Sequence, residues 1–143
     1  MMRNDIAYIN IGSNIGDRHG YLSQAVAMIM DRIDSGARVS DIVESEPWGF
    51  ESPNKFLNVG ITVSTTLAPE ELLRSLQDIE HAISPSAHRD ATGAYIDRAC
   101  DIDLILYGNR HISTPELTLP HPRMHQRPFV MIPLRQLIPD YTD

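Results

Sequence analysis

The sequence predicts an α+β fold in which helices pack on one antiparallel sheet. Three observations carry the prediction. Strand-like and helix-like periodicities alternate along the chain. Two strand-like segments follow one another between residues 37 and 67 with no helix between them, which weighs against a small doubly wound parallel sheet. The 143 residues suit one compact domain, 1–143.

Ile6 to Ile11 alternates weakly, is rich in β-formers and ends at "GSN", so it reads as the first strand. From Asp17, a suitable N-cap, Leu22, Val26, Ile29 and Ile33 recur at helical spacing until Gly36. "ARVSDIVESEPW" reads as one strand stopped by Pro47, and "WGFESPN" as a loop. In "KFLNVGITVSTTL" Phe56, Asn58, Gly60, Thr62 and Ser64 share one face, and Leu57, Val59, Ile61 and Val63 the other. Pro69 with Glu70 and Glu71 opens a second helix, which runs to about Ser84 and is stopped by Pro85. Residues 85–97 read as a small, polar loop. Asp101 to Tyr107 is the next strand, with a turn at Gly108-Asn109. "PELTLPHPRMHQRPF" reads as extended, and Phe129 to Leu137 as a short closing helix. The order β-α-β, loop, β-α-β is that of a ferredoxin-like sandwich with helices on one face of the sheet.

Composition narrows the function. With 42% hydrophobic and 22% charged residues this reads as an ordinary globular chain. A net charge of -7 disfavours nucleic acid and anionic membranes, so a polyanionic ligand would need a local basic patch and a divalent cation. The single Cys100 leaves no internal disulfide or multi-Cys zinc site and suits a reducing cytoplasm. The N-terminal segment does not read as a signal peptide, and no run of about 18 apolar residues spans a membrane.

Four constellations carry potential chemistry. On a strand, Asp101 and Asp103 point the same way, followed on that face by Ile105 and Tyr107. Their Cα atoms lie about 7 Å apart by strand rise, which lets both carboxylates converge on Mg²⁺, with Arg98 within reach of a phosphate. A bare D-x-D is equally well a solvated strand end. "NIGSNIGDR" is a glycine-rich turn after a strand; it matches no phosphate-loop pattern and is more often a simple connection. "PHPRMHQRPF" gathers His121, Arg123, His125 and Arg127 into the most basic segment, a phosphate patch or a proline-braced surface loop. "EPWGFESPNKFLN" sets Trp48, Phe50, Phe56 and Asn58 around a loop, enough to grip a flat heteroaromatic ring or simply to fill a core.

Taken together and in this order, "GSN", "EPWGF…FLN", "RACDIDLILYG" and "LPHPRMHQRPFVMIPL" resemble the 6-hydroxymethyl-7,8-dihydropterin pyrophosphokinase family (2-amino-4-hydroxy-6-hydroxymethyldihydropteridine diphosphokinase). With "TLAPEELL" and "QDIE" the match covers nearly the whole chain. The resemblance implies a ferredoxin-like fold and Mg²⁺-dependent transfer of diphosphate from ATP to the pterin hydroxymethyl group, releasing AMP, in folate biosynthesis. It implies that Asp101 and Asp103 hold two Mg²⁺ ions on the triphosphate, with Arg98 and Arg89 assisting catalysis. It places Gln77, Arg98, Thr118, His121 and Arg127 on the nucleotide, and Ser45, Trp48, Phe56, Asn58, Tyr95 and Phe129 around the pterin. ATP and the reduced pterin are then the partners, with no nucleic acid or membrane, and the expected state is a cytoplasmic monomer.

The chain departs from the family in three places. Residues 85–97 offer only His88 and Arg89, with Asp90 and Tyr95 where a second Arg and a Trp are expected, and this loop reads longer. Glu116 stands where some members carry a basic residue, and the tail after Ile138 is short. Lost positive charge on the phosphate side predicts a slow enzyme or a differently organised loop. The alternatives are a catalytically weakened pterin- or nucleotide-binding homologue, and a regulatory or metal-binding module on the same fold.

Overall fold

A computed structural model of the chain describes residues 5–47, 52–84 and 97–142. The chain runs β1 (Asp5–Ser13), α1 (Arg18–Arg32), β2 (Arg38–Val39), β3 (Val43–Ser45), β4 (Phe56–Thr65), α2 (Pro69–Ile83) and β5 (Asp101–Tyr107). It closes with a hairpin, β6 (Ile112–Ser113) and β7 (Thr118–Leu119), a 3-10 turn (Met124–Gln126) and α3 (Pro128–Leu137). The main sheet has the order β2-β4-β1-β5, β3 also pairs with β4, and the pairings are antiparallel. The expected α+β fold class is therefore observed.

Helices α1 and α2 cover one face. Asp17 caps α1 by accepting the Gly20 N–H at 3.0 Å, and α1 buries Leu22, Ala25 and Ile29. Pro69 opens α2, where Glu71 accepts the Ala68 N–H at 3.0 Å; α2 buries Leu72, Leu76 and Ile79. Their buried residues share one core with Leu57, Val59, Ile61 and Val63 of β4, the apolar face that alternation predicts; α1 packs on β1 and β4, and α2 on α1 and β5.

The third helix corrects the expectation that all helices share one face. Val130, Met131, Leu134 and Leu137 of α3 pack with Tyr8, Ile105, Leu106 and Met124 in a separate core on the opposite face. Gly60 permits this approach: a Cβ there would collide with Tyr8 Oη and lie 2.9 Å from Pro133 Cβ. The buried Tyr8 hydroxyl donates to Val130 O at 3.2 Å, so the α3 contact satisfies its polar atom.

Two further expectations are corrected. The strand expected across 37–46 is broken into β2 and β3, because the Ser40 hydroxyl accepts the Gly60 N–H at 2.8 Å and Asp41 turns out to Gln136 of α3. The register with β4 slips by one residue across this break, which is a bulge. The proline-rich segment after Gly108 is not simply extended, since it forms the β6–β7 hairpin, a cis Leu119–Pro120 bond and the 3-10 turn.

Strand β5 also departs from strict alternation. Tyr8 faces Leu106 but Ile9 faces Leu104, so Ile105 is one residue extra. Beyond this bulge Tyr107 lies in the α1/α2 core, its hydroxyl donating to Leu67 O, rather than following Asp101 and Asp103 on their face.

Candidate active site

Strand register lays out the floor of the site on the face of the sheet that carries α3. On β1, Gly12 faces Asn58 of β4 on one side and Asp101 of β5 on the other. The next rung places Asn10 between Gly60 and Asp103. Neighbouring strands are about 4.8 Å apart, so Asn58 and Asp101 stand roughly 10 Å from one another with only a glycine between them. A Cβ on Gly12 would come within 3.1 Å of Asn58 Oδ1 and 3.2 Å of Phe56 Cδ1, so the missing side chain keeps this floor flat.

One end of the floor is aromatic and amidic. Asn58 is buried, and its Nδ2 donates to Val43 O at 3.1 Å and Ser45 Oγ at 2.8 Å. With both amide hydrogens engaged on the β3 side, Oδ1 turns towards Gly12 as an oriented acceptor. Ser45 Oγ is thus one of the two acceptors that orient the Asn58 amide. The Phe56 ring lies beside it, with the Arg98 guanidinium 5.9 Å from its centroid.

The other end is charged. Arg98 Nη1 pairs with Asp101 Oδ2 at 2.9 Å, so this one arginine links the Phe56 ring to the carboxylates. Burial, then the charge of Asp101, holds the half-buried Asp103 carboxyl well above the usual carboxylate range, while Arg127 and Arg98 oppose the shift. Arg127 lies 5.8 Å over the Phe129 ring, which brings the aromatic start of α3 to the same edge. His121 donates its backbone N–H to Ile105 O at 2.9 Å, and its Nδ1 accepts the Arg123 N–H at 3.3 Å. Burial and the Arg127 charge lower the His121 pKa; the neutral ring then presents Nε2–H as a donor.

Sequence reasoning did not single out Glu80. Among the described residues β5 lies at the edge of the sheet, and Glu80 Oε2 of α2 accepts the Ile102 N–H at 2.7 Å, between the two aspartates. Burial above all, and then the Asp101 charge, raises its carboxyl to about 7. The available signal was an acid four residues after Leu76 in the apolar stripe of α2. Burial pushes the Cys100 thiol up to about 12, so it is a neutral core group.

The structure thus brings together Ser45, Phe56, Asn58, Arg98, Asp101, Asp103, His121, Arg127 and Phe129. Gln77 and Thr118 are exposed on α2 and β7. Trp48, Arg89 and Tyr95 fall outside the described residues.

The carboxylates fit a divalent cation. Their mutual repulsion is what a dication relieves, and among the described residues no group of three or more His, Cys, Asp or Glu is placed to cage a metal. That donor set suits Mg²⁺, which takes one or two carboxylates and completes its shell with waters and substrate phosphates.

Residues 8–139 match the family model described as 7,8-dihydro-6-hydroxymethylpterin-pyrophosphokinase. The 2-amino-4-hydroxy-6-hydroxymethyldihydropteridine pyrophosphokinase of Porphyromonas gingivalis is 42% identical over 135 residues, covering 94% of this chain and 91% of that protein. The protein of the same name from Bacillus subtilis is 41% identical, covering 94% of this chain and 78% of its own length. A solved HPPK-DHPS structure in complex with substrates superposes on 98% of this chain with a TM-score of 0.73 at 14% identity, which shows the shared fold; this chain spans 41% of that one. By the family match and these relatives, the chain belongs to the 7,8-dihydro-6-hydroxymethylpterin-pyrophosphokinase family.

Proposed function

We propose that this chain transfers a diphosphate from ATP to the hydroxymethyl oxygen of 6-hydroxymethyl-7,8-dihydropterin, a step of folate biosynthesis. The alcohol oxygen bonds to the β-phosphorus, the bond from that phosphorus to the α–β bridging oxygen breaks, AMP leaves with that oxygen, and the hydroxyl proton is released. The observation that carries this reading is the Asn58–Gly12–Asp101 row: an amide-and-aromatic end and a carboxylate end share one flat floor. Asn58 Oδ1 suits the N–H edge of a pterin, while Phe56 and Phe129 suit its faces. Asp101 and Asp103 would hold two Mg²⁺ ions, which neutralise the triphosphate when bound. Arg98, Arg127 and His121 Nε2–H would donate to phosphate oxygens, with Gln77 and Thr118 at the nucleotide rim. Such chemistry is mainly positioning and charge neutralisation.

Residues 1–143 would act as one domain and as a cytoplasmic monomer, a reading supported by the acidic surface charge and the buried Cys100. Trp48 and Tyr95 would complete the pterin pocket, and Arg89 would assist transfer. Among the described residues no helix is long and apolar enough to cross a membrane. The base-poor loop 85–97 favours a second reading, a binding homologue with weakened catalysis. A product assay with ATP, Mg²⁺ and the reduced pterin separates the two: pterin-dependent AMP without ADP supports transfer, whereas binding without AMP supports the second.

A further inference from the structure

Asp97 joins three loops at the mouth of the site. Its Oδ1 accepts from Asn14 Nδ2 at 2.7 Å, and its Oδ2 accepts from Asn54 Nδ2 at 2.8 Å. Asn14 is buried, belongs to the turn after β1, and also grips the next residue: its Oδ1 accepts the Arg98 N–H at 2.7 Å and its N–H donates to Arg98 O at 3.1 Å. Asn14 Nδ2 lies a further 3.3 Å from Asn54 O. Asn54 stands two residues before Phe56, and its N–H also donates locally to Ser52 Oγ at 3.1 Å.

These bonds divide the labour. Asn14 holds the Arg98 backbone by two bonds of its own, and the Arg98 side chain is held by Asp101. The loop that delivers Phe56 and Asn58 is held at its backbone by Asn14 Nδ2 on Asn54 O and by Arg18 Nη1 on Lys55 O at 2.9 Å, and the Asp97 carboxylate adds the tie to the Asn54 side chain. A carboxylate accepting two amide donors makes charge-assisted bonds, stronger than those between neutral groups. We propose that Asp97 is a positioning residue for the pterin: it clasps the loop before β4 to the Asn14–Arg98 backbone and so holds Phe56 at the Arg98 guanidinium. This inference rests on the pterin reading above.

The test is a double-mutant cycle on Asp97→Ala and Asn54→Ala, reading the Kd of 6-hydroxymethylpterin by fluorescence with a non-hydrolysable ATP analogue and Mg²⁺ present. Each single variant should weaken pterin about tenfold, the size expected for losing a charge-assisted bond, and the double variant no more than either one. ATP-analogue affinity should stay within about twofold, and Asp97→Asn, which keeps one acceptor, should fall between wild type and Asp97→Ala. A lowered melting temperature with unchanged pterin affinity, or effects that multiply in the double variant, overturns the proposal. Should Asp97→Ala fail to fold, the same pterin-against-nucleotide split in Asp97→Asn decides. A wild-type chain that binds no pterin refutes the underlying functional reading instead.

Discussion

Glu80 Oε2 accepts the Ile102 backbone N–H at 2.7 Å, so a helix carboxylate fixes the one residue that separates the two aspartates. An edge strand leaves such donors without a strand partner, and Glu80 supplies the acceptor from α2. Glu80→Ala should therefore leave Ile102 N–H unsatisfied and cost about 1 to 3 kcal/mol of stability by chemical denaturation. Glu80→Gln keeps an acceptor and should lose less than half as much at pH 7. Equal losses in the two variants would show that the hydrogen bond is not what matters.

The same carboxyl predicts a pH dependence. Its pKa rises from 4.5 to about 7 on folding, chiefly through burial, so the folded chain binds this proton more tightly than the unfolded chain. The stability of wild type relative to Glu80→Gln is then highest below pH 4.5 and falls as pH climbs to about 7. Denaturant titrations in EDTA across pH 4 to 8 should show the difference shrinking by on the order of 2 kcal/mol, a figure reduced because the group is partly exposed. A flat difference contradicts the assignment.

Asp101→Ala and Asp103→Ala should each abolish Mg²⁺-dependent AMP release. Asp103→Asn should also melt at a higher temperature than wild type in EDTA at pH 8, because it removes a carboxylate that burial and Asp101 both disfavour. An unchanged or lower melting temperature would count against that electrostatic picture.

Gly60→Ala tests the second core. The added methyl would meet Tyr8 Oη and Pro133 Cβ, so α3 must shift, at about 1 to 3 kcal/mol. A full-strength melting transition in this variant would mean that α3 does not rest on β4 as described.

Much of this was legible in the residues, and the exceptions have physical causes. Period-two alternation placed Leu57, Val59, Ile61 and Val63 in the core, and Asp101 with Asp103 on one face. It could not foresee the extra residue at Ile105, since a bulge leaves no mark on composition, nor that Ser40 would take a ladder N–H and split a strand. The face chosen by α3 depends on the close approach at Gly60, a tertiary event. In the site, strand spacing aligns Phe56 with Asn58 and Asp101 with Asp103, whereas their joining into one site with Arg98 was expected only from the family resemblance. Glu80 and Asp97 were not singled out, since their partners lie 22 and more residues away, on other elements. Trp48, Arg89 and Tyr95 stay proposals from the sequence.

On the proposed reading one flat floor divides between pterin and metal-triphosphate, with Asn58 at one end. Calorimetric titration of Asn58→Ala with 6-hydroxymethylpterin and, separately, with an ATP analogue and Mg²⁺ tests it most directly. Pterin binding should weaken by about tenfold or more, the scale of a lost buried hydrogen bond, with nucleotide affinity within about twofold of wild type. Equal loss of both ligands, or no loss of pterin, would contradict it.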